Sequence, residues 1–216
     1  MSDDDHIKAL KEALVREKER GDEMRIRTIE LLDFTDKSEG ARFARANVRG
    51  ALEGDPPSEH DIGAQFDQGY GVPVNKELAF YWFKLGAEHG DAFSMNDVAN
   101  KYAKGVGTIF DGEEAIKWYT KSAELGTPEA KGNLAYCHLC GKCIERDPKK
   151  AVELLEEIIA TAPKGRLSGR NYYNLATCYE RGEGVKKNVR RAIELYHEAA
   201  ERGCEDAYAA LERLEI

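Results

Sequence analysis

The chain has 216 residues, 42% hydrophobic and 33% charged, enough for one or two small domains or one repeat array with a charged surface. A net charge of −8 disfavours general nucleic-acid binding, which needs clustered Lys and Arg, and disfavours anchoring on an anionic lipid leaflet. The start, MSDDDHIKALKEALVREKER, lacks the apolar stretch of a signal peptide, and no apolar run reaches membrane-spanning length, so a cytoplasmic protein is expected. Five cysteines, an odd number with three bunched together, do not suit a secreted disulfide framework.

Asp5 to Phe34 is helical in composition, with Ile7, Leu10 and Leu14 on one stripe. Glu17 and Gly21 stand where a heptad wants apolar residues, which excludes a long coiled coil. The stretch KSEGARFARANVRGALEGDPPSEH predicts a short irregular helix and a boundary at Pro56-Pro57. Residues 1–57 are read as a cap on the rest of the chain, or as an arm that docks a partner.

From Ser58 onward a pattern recurs. Ile62-Gly63, Val98-Ala99, Leu134-Ala135 and Leu175-Ala176 are each followed by Phe66, Tyr102, His138 and Tyr179, then by Gly69, Gly105, Gly141 and Gly182. A second segment begins at Asn75, Asp111, Asp147 or Asn188, all good N-cap residues. It carries Ala79, Ala115, Ala151 and Ala192, then Trp82, Trp118, Leu154 and Leu195. Spacings between copies are 36, 36 and 41 residues. Each copy therefore reads helix A, Gly-rich turn, helix B, turn, with copies at about 58–90, 91–126, 127–169 and 170–203. The longer third copy puts a loop at Pro163 to Gly169, and residues 204–216 predict a capping helix with Ala207, Leu211 and Leu214 inward. About ten helices are expected between Ser58 and Ile216, with Trp82 and Trp118 in the seam between paired helices.

The stretch CHLCGKCIERDP, with Cys137, Cys140 and Cys143 three apart, is near an iron–sulfur pattern. Asp147 stands where a fourth thiolate belongs, and Asp147-Pro148 is accounted for as the N-cap and first residue of a helix. Cys137 shares a repeat slot with Gln65, Lys101 and Cys178, and Cys143 replaces a turn glycine. No metal or other cofactor is expected, and the three are read as packing thiols. The five histidines occupy unrelated slots, Asp3-Asp4-Asp5 reads as solvated surface, and no assembled catalytic motif appears, so no enzyme is expected.

LATCYERGEGVKKNVRRAIELYHEAAERG, Leu175 to Gly203, resembles the Sel1-like repeat, a relative of the tetratricopeptide repeat, nearly slot for slot. The resemblance implies an all-α fold, a right-handed α–α superhelix of antiparallel helix pairs. It also implies a protein-interaction scaffold or adaptor that binds a peptide or partner protein on a concave face lined by helix A. Carried over by position, the groove residues are His60, Asn96, Asn100, Gly132, Tyr136, Leu139, Tyr173, Thr177 and Glu180, with Ala64, Asp67 and Ala103 beside them. Gly132 is expected to floor a pocket walled by Tyr136 and Tyr173. The alternatives are an immunity-type inhibitor whose negative charge speeds capture of a basic toxin or enzyme, and a metal- or redox-responsive module using the cysteine run.

Overall fold

The computed structural model describes residues 2–161 and 168–214. The described residues form twelve α-helices and no strand, in two compact units, Met1–Asp111 and Gly112–Ile216. The expected loop at Pro163 to Gly169 lies almost wholly outside the described residues.

The first unit begins with α1 (Asp3–Arg20), started by a capping box between Ser2 and Asp5 and ended at Gly21 in the left-handed conformation, φ 74°. The stretch read as helical from Asp5 to Phe34 is therefore broken there, and α2 (Glu23–Glu30) starts afresh from the Asp22 cap. Next comes α3 (Glu39–Leu52), a regular helix and not the irregular piece expected. Then follow α4 (Pro56–Gln68), α5 (Lys76–Glu88) and α6 (Ala92–Lys104), each packed on its predecessor. Trp82 is completely buried and donates from Nε1 to Thr28 Oγ1 at 2.9 Å, which fastens α5 to α2.

The Asp3-Asp4-Asp5 run is not simply solvated surface. The fully buried Arg45 of α3 donates to both Asp3 carboxylate oxygens, at 2.8 and 2.7 Å, and to the Asp33 and Asp36 carbonyls at 2.6 and 2.9 Å. One guanidinium thus ties down the start of α1 and the α2–α3 loop, using the planar donor fork that lysine lacks.

The second unit comprises α7 (Gly112–Glu124), α8 (Pro128–Cys140), α9 (Pro148–Thr161), α10 (Gly169–Arg181), α11 (Val189–Glu201) and α12 (Glu205–Arg213). Nine helices therefore follow Pro56 among the described residues. The core of α8 to α12 is filled by Ala135, Ala151, Leu155, Leu175, Leu195 and Tyr196, with Ala207 and Leu211 of α12 closing the end and Leu214 partly covered. Trp118 is buried, and its Nε1–H donates to Glu114 at 3.0 Å.

One hydrogen bond closes the A-to-B turn in all four copies. The N-cap residue of helix B donates its N–H to the carbonyl of the aromatic slot in helix A: Asn75 to Phe66 (2.8 Å), Asp111 to Tyr102 (3.1 Å), Asp147 to His138 (2.9 Å) and Asn188 to Tyr179 (2.8 Å). The third copy keeps this bond although His138 and Cys143 replace the usual residues.

The turns also sit on the start of the preceding helix B. A Cβ on Gly107 would strike the Lys76 carbonyl, and one on Gly184 would strike the Pro148 carbonyl. Gly71 meets Gly40 of α3 in the same way. Helix α3 thus occupies the seat of a helix B, 36 residues ahead of α5. A second pair of contacts agrees, because Gly50 lies against Ser58 as Gly86 lies against Ser94.

Candidate functional site

In the first unit, helix A is α4 in one copy and α6 in the next. His60 of α4 reaches Asp97 of α6, Nε2 to Oδ2 at 3.2 Å, with its ring 5.6 Å from Phe83 and 6.2 Å from Phe93. Burial pulls the imidazole down, but the hydrogen bond to Asp97 and the charges of Asp97, Asp91 and Asp61 outweigh it, so its pKa is raised above 6.5. Asn96 and Asn100 lie half-buried along α6. Asp67 accepts from Lys101, which is buried, and from Lys76 at 2.7 Å, so that carboxylate is engaged within the unit. Phe93 is 55% exposed beside His60. Sequence reasoning passed over it, and its only signal is a large aromatic side chain in the first turn of a helix A.

In the second unit the helix A segments are α8 and α10. Tyr136 is 55% exposed on α8, whereas Leu139 rests against the core. Tyr173 is half-buried, 5.6 Å from the Tyr196 ring, with the Arg170 guanidinium 5.4 Å above its face. The Thr177 hydroxyl donates back to the Asn174 carbonyl at 2.7 Å. Glu180 accepts from Tyr196 Oη at 2.6 Å and from Arg213 at 2.8 Å, so it holds α12 against α10. Arg213 holds its carboxyl below the ordinary value through that hydrogen bond, against a smaller opposing effect of burial.

Gly132 corrects the expected pocket. It is buried, and a Cβ there would lie 2.5 Å from Asn171 Oδ1. The Asn171 amide fills the space assigned to the pocket, because α8 and α10 close on each other at this point. Gly132 serves that close approach and floors no cavity.

Among the described residues no group of three or more His, Cys, Asp or Glu is arranged to hold a metal ion. All five cysteines are free thiols: Cys137, Cys178 and Cys204 are buried, Cys143 is half-buried and Cys140 is exposed. No helix among the described residues is long and apolar enough to cross a membrane.

The family model of the Sel1 repeat matches residues 56–91, 92–127, 128–159 and 172–204, well over half the chain. The chain belongs to the Sel1 repeat family. Among solved structures it is similar to a Sel1 repeat protein from Oxalobacter formigenes, at 26% identity and a TM-score of 0.68, covering 80% of this chain and 69% of that one. It also shares its fold with c5321, a protective antigen present in uropathogenic Escherichia coli strains and displaying an SLR fold. There the identity is 23% and the TM-score 0.68, over 93% of this chain but only 44% of the other. No curated protein matches it. Sel1 repeat proteins are all-helical α–α superhelices that generally act as protein-interaction scaffolds, and the fold is typically non-catalytic. The matched residues begin at 56, so α3, seated as a helix B, lies just outside them.

Proposed function

We propose that this Sel1 repeat chain is a non-catalytic cytoplasmic scaffold that holds a peptide or partner protein against its helix A faces. The observation that carries this reading is Tyr136, a tyrosine 55% exposed on a helix whose Leu134, Ala135 and Cys137 are buried. Exposed aromatics are enriched among the residues that dominate binding interfaces. The remaining candidates are Tyr173 and Thr177 in the same unit, and His60, Asn96 and Asn100 in the other.

The test is capture by the full-length chain of its binding proteins, compared between the native chain and Tyr136→Ala, Tyr173→Ala and Asn100→Ala, with bound proteins identified by mass spectrometry. A partner held by the native chain and lost from the Tyr136→Ala and Asn100→Ala variants is expected, each of which keeps its helical spectrum. Unchanged capture by all three variants removes the helix A faces from consideration.

A second reading, an immunity-type inhibitor that captures a basic toxin or enzyme, draws support from the first unit. Residues 1–111 hold 15 Lys and Arg against 22 Asp and Glu, and Asp61, Asp91 and Asp97 all lie close enough to bear on His60. Inhibition of a purified basic partner by the full-length chain, weakening steeply with salt, separates this reading from the scaffold.

A further inference from the structure

The charge of the second unit is unevenly placed. Residues 112–216 hold 17 Lys and Arg against 18 Asp and Glu, close to balance. Yet residues 142–150 and 181–191 hold nine of those cations and only three of the carboxylates. These two stretches are the A-to-B turns of the third and fourth copies with the first turns of α9 and α11.

The fold makes them one edge. Gly184 sits on the Pro148 carbonyl with its absent Cβ 2.6 Å from the Lys149 nitrogen, and Arg146 pairs with Glu183 across the two turns. Lys149, Lys186 and Lys187 are exposed, and none has a carboxylate partner among the described residues. Glu194 is shared between Arg190 and Arg191, at 3.9 and 2.9 Å, and Arg190 is 94% exposed. Arg190 and Arg191 thus spend their charge in part on α11, whereas the three lysines hold no ion pair of the fold among the described residues. Neither α9 nor α11 has an acidic residue in its first turn, where the helix dipole favours acid and disfavours Lys and Arg. The edge therefore carries uncompensated positive charge in a chain whose total is −8.

We propose that this edge, centred on Lys149, Lys186, Lys187 and Arg190, docks an acidic segment of a partner polypeptide. The proposal rests on the scaffold reading and adds a partner class at a place away from the helix A faces. Charge complementarity identifies the partner as anionic. The extent of the edge identifies it as a short polypeptide segment and not a nucleic acid. Outside the two stretches the second unit has 8 cations against 15 carboxylates, so its sequence supplies no second run of cations to extend the edge. Nucleic-acid affinity grows with the number of phosphates neutralised along a track, and no track continues here. An acidic segment bounded by neutral residues meets only the favourable part of the field, within about a Debye length of 8–10 Å.

The experiment measures fluorescence anisotropy with the full-length chain and three labelled probes: a short Glu- and Asp-rich peptide, a Ser- and Gly-substituted peptide of equal length, and a single-stranded oligonucleotide of equal charge. The acidic peptide should bind at least about tenfold tighter than either other probe. The K149E/K186E/K187E variant should lose that advantage by about tenfold or more, while K8E/K11E on α1 retains it. All the reversed side chains are exposed, and a thermal melt of each variant confirms the fold. Binding of the oligonucleotide as tight as that of the acidic peptide, retention of peptide binding by the triple variant, or a salt-sensitive dimer of the chain in place of peptide binding overturns the proposal. None of those results touches Tyr136 or Asn100, so the scaffold reading fails only on its own test.

Discussion

Cys143 presses its backbone against Gly112. A Cβ on Gly112 would lie 2.8 Å from the Cys143 carbonyl oxygen and 2.9 Å from its Cα. In the neighbouring seats the bare residue is in the turn, Gly107 on Lys76 and Gly184 on Pro148. Here the turn carries a side chain and the glycine has moved to the helix beneath it. Helix propensity alone favours alanine over glycine by about 1 kcal/mol inside a helix. The contact reverses that sign, so Gly112→Ala should destabilise by about 1–3 kcal/mol, read as a lower urea midpoint. Cys143→Gly should not rescue it, because the clash is with backbone. A raised midpoint for Gly112→Ala would show that the seat is loose.

Arg45 should dominate the stability of the N-terminal helices. Removing it leaves Asp3 and two carbonyls without their donor, and Arg45→Ala should cost about 3–5 kcal/mol, the usual result of breaking a buried ion pair. Proteolysis between Gly21 and Lys37 should accelerate in that variant, and an unchanged digestion pattern speaks against the tie.

The same pair sets an acid limb. The hydrogen bond from Arg45 holds the Asp3 carboxyl below its ordinary 3.8, so the native state binds this proton less readily than the unfolded chain. The stabilisation is complete above pH 3.8 and is lost as pH falls through the depressed native value. Asp3→Asn should be less stable than the native chain at pH 7 and converge with it in strong acid. Parallel curves at all pH values would assign the stability to something other than the charge.

The thiols should separate into fast and slow classes. Burial, with the neighbouring Cys143 thiol, pushes Cys137 up to about 12, and burial with the charge of Glu183 pushes Cys178 up to about 11. Only the thiolate reacts, so at pH 8 both should resist a thiol reagent in the native state. Cys140, exposed at the end of α8, should label first, and Cys140→Ser should remove the fast phase. Rapid labelling of all five thiols in folded protein contradicts this arrangement.

Both tryptophans should emit as buried indoles and resist quenching. Trp82→Phe should lose about 1 kcal/mol with the hydrogen bond to Thr28, and Trp82→Ala about 3–5 kcal/mol with the packing. Native emission at long wavelength, open to iodide, is incompatible with Trp82 inside the seam.

The repeat register was legible because it is written four times, and the bonds from Asn75, Asp111, Asp147 and Asn188 follow it copy by copy. A helix could be read at α3, but its seat as a helix B was not legible. Its marks were present at the same 36-residue spacing, Gly50 before Gly86, Gly54 before Gly90 and Asp55 before Asp91. The Ala and Trp slots hold Phe43 and Ala46, however, and two glycines inside a helix read as weakness when they serve close packing. Asp3 hid for another reason, since its partner lies 42 residues away and no local pattern links them. At the candidate site, the exposure of Tyr136 could be read from its slot. Gly132 could not, because register gives backbone position and does not say that the Asn171 side chain leans into the gap.

The seat beneath each turn asks little of the residues that form it. It needs one position without a side chain, on either partner, and backbone does the rest: Gly71 on Gly40, Gly107 on Lys76, Cys143 on Gly112, Gly184 on Pro148. A turn that carries the glycine itself, as at Gly107 and Gly184, is indifferent to which copy it rests on, whereas the Cys143 turn needs Gly112 beneath it. Duplication or loss of a whole unit by unequal recombination leaves joints of the first kind intact, and the other survives wherever Gly112 stays with Cys143. Array length can therefore drift between lineages while the helix surfaces, which the joint does not constrain, diverge toward different partners.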